Sequence, residues 1–310
     1  MPVATVVGAG VIGVSWAHLF AEAGWQVRIS DPRPDLDEIV QRDLAGLPVT
    51  AFSDLAEAAS DADFVQESGP ESPELKREMF ATLAAATADD VVLASSSSSL
   101  PASAFAEGNA AAGRILIGHP FNPPRLIPLV EVVPSPDTAP WAVDRAVGVY
   151  RELDRLPIRL KKEIPGFVGN RLQRAFNDQA TYLVQQGVID PADLDDLVTA
   201  SLGLRWATVG PFESMQLGGG PAGMRHLVEH VGAQMTFDLG APDPDAYGPV
   251  VEAVDAAYGT GPAAYGVNVR RRDRRTRAVI EALAASDARA QAQDRSTDLE
   301  EPESTACSAS

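Results

Sequence analysis

One histidine and one glutamate carry the strongest chemical signal in the chain. They lie in the stretch ILIGHPFNPPRLIPLVEVV, residues 115–133. An apolar strand pattern breaks at His119-Pro120, loops through Asn122-Pro123-Pro124 and resumes as a second apolar run from Ile127 to Val133. Glu131 sits inside that second run, flanked by Leu129, Val130, Val132 and Val133. A carboxylate in such a setting is expected to be buried, and a buried charge needs a partner. His119, at the end of the preceding strand, is the nearest candidate. A glutamate that holds one imidazole nitrogen leaves the other free to move a proton at neutral pH. The pair reads as a general acid/base, and the rest of the chain must bring a reactant to it.

The N-terminal stretch supplies a second constellation. VATVVG reads as a buried strand, and Gly8, Gly10 and Gly13 follow as G-x-G-x-x-G. A helical pattern opened by Val11 and Ile12 runs to Gly24, and a second strand from Trp25 to Ser30 ends in Asp31. Gly8 suits a tight turn, Gly10 a close backbone approach to a pyrophosphate, and Gly13 helix-on-strand packing. The helix N-terminus favours phosphate charge, and Asp31 can accept ribose hydroxyls. Asp31 points to NAD rather than NADP, with Arg33 close by as the opposing signal.

Downstream, strand and helix alternate. A short helix and a helical turn occupy 35–61, and a strand at 63–66 leads into Glu67-Ser68-Gly69-Pro70-Glu71. A helix around 75–86 and a strand at 91–94 reach the run Ser95 to Ser99. Helix 138–154 and strand 157–160 complete the pattern. The expected fold class is α/β, an N-terminal Rossmann-type, mostly parallel sheet followed by a smaller all-α domain. The boundaries fall at 1–164, 165–285 and 286–310, the last a polar, acidic segment expected to be disordered. Within the helical part, 203–213 (GLRWATVGPFE) reads as a loop. There Arg205 could grip a carboxylate and Trp206 could stack on a cationic group; ordinary loop packing is the other reading.

The chain has 310 residues, 45% of them hydrophobic, and a formal net charge of −18. That charge disfavours nucleic acid and anionic membranes as partners. The single cysteine, Cys307, allows no intrachain disulfide. No apolar run reaches membrane-spanning length, and the chain opens on a strand pattern, so the expected location is cytoplasmic. His226, Glu229 and His230 spell H-x-x-E-H, but no further acidic ligand motif accompanies them, and no metal is expected. The arginines at 270–277 read as a solvated helix face.

Taken together, GAGVIG, DFVQES, SSSSSL, GHPFNP, PLVEVV, KEIPGFVGNRLQ and GPFE resemble the 3-hydroxyacyl-CoA dehydrogenase superfamily, in its order, over about residues 3–230. Within it the chain is similar to the λ-crystallin (L-gulonate 3-dehydrogenase) and L-carnitine dehydrogenase branch. The resemblance implies that His119 is the general base, Glu131 its orienting carboxylate, and Ser98 and Asn170 the groups that hydrogen-bond the reacting oxygen. Asn122 would shape the site, and Glu71 and Lys76, with Ser98, would lie on the cofactor side. It also implies a homodimer. The expected activity is NAD-dependent oxidation of a hydroxyl β to a carboxylate or acyl group, L-gulonate-like. A 3-hydroxyacyl thioester and then L-carnitine are the alternatives, with an idle crystallin-like or NAD-sensing protein as the non-enzymatic one. In one respect the chain departs from the superfamily, where a long helical hairpin after the second strand helps to hold CoA. Here only about thirty residues separate Asp31 from Asp63, too few for it.

Overall fold

The computed structural model describes residues 1–232 and 237–298. The chain divides into two compact units, Met1–Arg174 and Ala175–Ser310.

The first unit is built on an eight-stranded sheet. Its strands are β1 (Val3–Val7), β2 (Gln26–Ser30), β3 (Val49–Phe52), β4 (Phe64–Glu67), β5 (Val92–Ser95), β6 (Ile115–Pro120), β7 (Leu129–Pro134) and β8 (Leu156–Arg159), in the order β3-β2-β1-β4-β5-β6-β7-β8. All neighbours run parallel except β6 and β7. The helices of this unit are α1 (Val11–Glu22), α2 (Leu36–Asp43), α3 (Leu55–Ala59), α4 (Pro73–Ala86), α5 (Ser103–Ala106) and α6 (Pro140–Glu152). Side chains alternate across the sheet with the period of two that a pleated strand imposes. Ala4, Val6, Phe64 and Leu116 pack with Trp16, Phe20 and Tyr150 in one cluster. Val7, Val65, Ile115 and Ile117 pack with Phe80, Leu83 and Phe105 in the other. The order reverses direction between β1 and β4, where open α/β sheets place their ligands.

α7 (Gly169–Gln185) begins in the first unit and carries the chain into the second. There follow α8 (Pro191–Ala200), α9 (Leu202–Thr208), α10 (Pro211–Gly218), α11 (Gly223–His226), a π-helical turn (Leu227–Val231), α12 (Tyr247–Tyr258) and α13 (Gly261–Asp298). Among the described residues of this unit, Leu194 is the one large apolar side chain that is buried.

Three sequence expectations differ from the structure. β3 is an unforeseen strand; its four residues, VTAF, are too few to show a period. The 203–213 stretch is not a loop but α9 and the start of α10, broken only at Val209–Gly210 before Pro211 opens the next helix. α13 continues past residue 286, where the disordered segment was expected, as far as Asp298. That stretch is rich in alanine, arginine and glutamine, which favour helix without needing a packed face. Residues 299–310 lie outside the described part, and Cys307 with them.

Candidate active site

His119 and Glu131 are cross-strand partners in the antiparallel β6–β7 pair. They are 5% and 3% exposed. His119 Nδ1 lies 2.8 Å from Glu131 Oε2. The other carboxylate oxygen, Oε1, accepts the backbone N–H groups of Val168 and Gly169, both at 3.0 Å. Burial alone would raise the Glu131 carboxyl, but the His119 hydrogen bond, the two amides and the imidazole charge hold it below its usual range. An ionised Glu131 can only accept, so Nδ1 carries a hydrogen, and in the neutral imidazole Nε2 then presents the lone pair. Phe121 and Phe167 flank the ring at 5.3 and 5.4 Å.

The two amides are aimed by an unusual backbone. Gly166 and the buried Phe167 both adopt positive φ, +74° and +49°. A left-handed phenylalanine is costly, so the surrounding packing must hold it there. The turn directs Val168 and Gly169 back to β7. A Cβ on Gly169 would strike the Phe121 ring, so glycine here lets that ring pack against the turn.

A cleft of about 570 Å³ opens over the C-terminal ends of β4, β5 and β6. It brings together Ile12, Glu71, Ser98, His119, Asn122 and Asn170 from the expected residues. Ser68 and Ser96 line it too and were not foreseen. Asn170 Nδ2 donates to the Ser98 carbonyl at 2.7 Å. Glu71 accepts from Ser97 Oγ (2.8 Å), the Ser98 amide (2.6 Å) and Ser98 Oγ (3.2 Å), and so pins the serine run. Asn122 precedes a cis proline at 123.

A second cleft of about 420 Å³ adjoins the first through Gly69, which lines both. Gly8, Asp31, Leu55, Pro70, Glu78 and Met79 line it, giving two carboxylates in a mostly apolar slot. Between the two clefts stands the glycine turn. Gly8 has φ +97°, and a Cβ there would meet the Ser68 carbonyl at 2.7 Å. A Cβ on Gly13 would overlap the Gly8 carbonyl, whereas Gly10 faces open space. No side chain caps α1, so its first amides, from Val11 onward, are free for an anion. Asp31 accepts from the Ala9 amide at 2.7 Å and the Arg33 amide at 3.0 Å, and its carboxylate retains further acceptor capacity. Arg33 is engaged by Asp35 through two hydrogen bonds of 2.6 and 2.8 Å. A pyrophosphate over Gly10, flanked by an adenosine slot and the His119 cleft, fits these residues. NAD is the group the unit is shaped to hold.

Lys76 is a correction. It is fully buried, with Nζ 2.8 and 2.7 Å from the two oxygens of Glu67, and lines neither cleft. Glu67 also accepts from Ser95 Oγ and the Gly69 amide, each at 2.5 Å. A lysine so enclosed serves the loops after β4 and β5 from behind and does not face the cofactor. Arg205 and Trp206 lie on α9 in the second unit, Trp206 edge-on to Phe176 at 6.5 Å. His226 and His230 stack at 4.2 Å, Glu229 pairs with Arg225, and no metal-binding cluster occurs among the described residues.

Comparison with known proteins settles the family. Residues 3–47 and 38–164 match the NAD-binding domain of 3-hydroxyacyl-CoA dehydrogenase, and 166–244 match its C-terminal domain. The chain belongs to the 3-hydroxyacyl-CoA dehydrogenase family. It is an NAD-dependent oxidoreductase of that family, acting on CH–OH. It is 44% identical to a 3-hydroxyacyl-CoA dehydrogenase of Gibberella moniliformis, over 73% of this chain and 76% of that one. It is 43% identical to an L-carnitine dehydrogenase of Streptomyces griseus (74% and 73%) and 41% identical to a λ-crystallin homologue of Bos taurus (80% and 81%). Among solved structures it resembles a 5-formyl-3-hydroxy-2-methylpyridine 4-carboxylic acid 5-dehydrogenase with TM-score 0.77 and 27% identity, over 92% of this chain and 99% of that one. No helix among the described residues is long and apolar enough to cross a membrane.

Proposed function

We propose that this member of the family oxidises a small free 3-hydroxy acid, L-gulonate-like, rather than a CoA thioester. One observation carries the reading: the connection from β2 to β4 contains only the eight-residue α2, the four-residue β3 and the five-residue α3. It has no helical hairpin to hold a CoA. The two matches to the NAD-binding domain overlap at 38–47, within this same short connection. The structural neighbour of TM-score 0.77 is, by its title, a dehydrogenase of a small pyridine carboxylic acid.

In this reading His119 Nε2 takes the proton from the substrate hydroxyl as the C–H bond breaks. NAD, when bound, supplies the hydride acceptor. Glu131 keeps Nδ1 protonated and stabilises the imidazolium that forms. Asn170 has one amide hydrogen on the Ser98 carbonyl and a second free to hold the reacting oxygen. Ser98 contributes its position through Glu71, since its hydroxyl hydrogen is directed there. Among the described residues no lysine or arginine lines the His119 cleft. Arg205 is our candidate for binding the substrate carboxylate.

L-carnitine is the second reading. Trp206 is 46% exposed, and an indole face suits a quaternary ammonium group. L-carnitine dehydrogenases also recur among the relatives at 36–43% identity. The second unit, with its apolar faces uncovered, suits a homodimer, and a cytoplasmic setting is in keeping with the single cysteine. NADH absorbance with L-gulonate, L-carnitine, 3-hydroxybutyrate and 3-hydroxybutyryl-CoA tests the proposal. Turnover of a free acid is expected; a preference for the CoA ester by kcat/KM would overturn it.

A further inference from the structure

A buried hydrogen-bond chain ends in the His119 cleft, and its direction can be followed link by link. It starts at Tyr150 on α6, which is fully buried. The phenol fits beneath β6 because residue 118 is glycine; a Cβ there would overlap the hydroxyl. Tyr150 Oη donates to Gln66 Oε1 at 2.8 Å. Gln66 cannot be turned over, because its Nε2 lies 3.3 Å from the Gly118 carbonyl, which only accepts. Gln66 Nε2 also donates to Ser96 Oγ at 2.7 Å. Trp16 Nε1, a donor only, reaches the same oxygen at 3.1 Å.

Ser96 Oγ has thus filled both lone pairs. Its own hydrogen has one destination, Ser68 Oγ at 2.9 Å. Ser68 therefore accepts from Ser96, and its own hydrogen finds no acceptor among the described residues. That hydrogen is left to point into the cleft, which Ser68 and Ser96 both line.

We infer that Ser68 is a fixed-polarity donor that grips a ribose oxygen on the nicotinamide half of NAD. The location argues for that half. Ser68 follows β4 beside the glycine turn, its carbonyl against Gly8, and it lines the cleft of His119, not the slot of Asp31. With the pyrophosphate at α1 and adenosine toward Asp31, the next group along is the nicotinamide ribose. The inference rests on that placement of NAD. Trp16, Gln66 and Tyr150 then act as positioning residues that orient the donor before the cofactor arrives.

The test is equilibrium binding, read by quenching of protein fluorescence, for NAD and for ADP, which lacks the nicotinamide ribose. Binding of NAD by the unaltered protein checks the cofactor placement separately. Ser68→Ala is expected to weaken NAD about three- to tenfold, the worth of one neutral hydrogen bond, and to leave ADP within about twofold. Ser68→Thr keeps the hydroxyl and is expected to restore NAD affinity. Unchanged NAD affinity in Ser68→Ala, an equal loss for ADP, or an equal loss in Ser68→Thr overturns the inference.

Discussion

Replacing Glu131 with glutamine tests the proton relay sharply, because glutamine keeps the shape and removes one acceptor. The carboxylate serves three donors with two oxygens: Val168 N–H and Gly169 N–H on Oε1, and His119 Nδ1–H on Oε2. Glutamine has a single carbonyl oxygen. If it turns toward the two amides, its NH₂ faces Nδ1, and the imidazole must move its hydrogen to Nε2 to offer a lone pair. The outward nitrogen is then a donor and can no longer take a proton. The opposite orientation sets the NH₂ against two backbone N–H groups in a buried site, leaving two donors unsatisfied at about 1–3 kcal/mol each. The first orientation is therefore favoured, and the base is lost.

A wrong tautomer of this kind lowers kcat by about 10³–10⁴, or about 4–5.5 kcal/mol of barrier. Stopped-flow or steady-state NADH absorbance with the best free acid of the panel measures it, with NAD affinity expected to be unchanged. Stability supplies an independent reading. The folded Glu131 carboxyl is held below its ordinary range, so its contribution is present above the unfolded-state value and fades as pH falls through the folded one. The melting difference between the two proteins should accordingly be largest near neutrality and shrink in acid. A variant within tenfold of the parent kcat would refute the tautomer argument. So would a His119→Ala/Glu131→Gln double variant that loses the full product of both single effects, since two parts of one relay cannot each be lost twice.

Other expectations follow from the same geometry. Lys76→Met leaves Glu67 buried without its cation and should cost about 3–5 kcal/mol, seen as a lowered melting temperature; a wild-type melt would contradict the buried pairing. Arg205→Ala should raise the KM of a free 3-hydroxy acid about tenfold or more with little change in NAD affinity, and an unchanged KM removes Arg205 as the carboxylate anchor. The protein should sediment as a dimer, because a helical unit with Leu197, Leu204, Phe212 and Leu217 all more than half exposed needs a covering surface; a stable monomer at micromolar concentration would oppose this.

What was legible in the sequence is what local spacing encodes. The glycine turn and Asp31 belong to one strand–helix–strand unit, and their separations are fixed by its geometry. His119 and Glu131 are twelve residues apart, but an apolar run on each side of a proline loop signals a hairpin, and hairpin register brings them face to face. The missing acyl-CoA hairpin was likewise a matter of counting residues. What was not legible depends on sheet order. Glu67 meets Ser95 only because β4 and β5 are adjacent in register, and Lys76 meets Glu67 only because α4 folds back beneath them. The amides of Val168 and Gly169 have no side-chain signature, and the left-handed turn at Gly166-Phe167 that aims them was not foreseen. Ser68 looked like one more loop serine until its neighbours fixed its hydrogen.

The two buried acid–base pairs under the cleft look alike on paper and differ in what they leave unspent. Glu67 is filled: both carboxylate oxygens hold the Lys76 ammonium, and the remaining acceptor capacity is taken by Ser95 and Gly69. Glu67 has no acceptor capacity left for a ligand, and Lys76 is buried away from both clefts, so the pair fixes the loops. Glu131 is held by three donors, but one of them is an imidazole with two nitrogens, only one of which it occupies. The second nitrogen is open to the cleft that Asn170 and Ser68 also line. A site turns over by the valences its scaffold does not consume. Among the polar groups of the cleft are one lone pair on the neutral His119 ring, one amide hydrogen on Asn170 and one hydroxyl hydrogen on Ser68, a base and two donors in keeping with the proposed removal of a proton from an alcohol beside bound NAD.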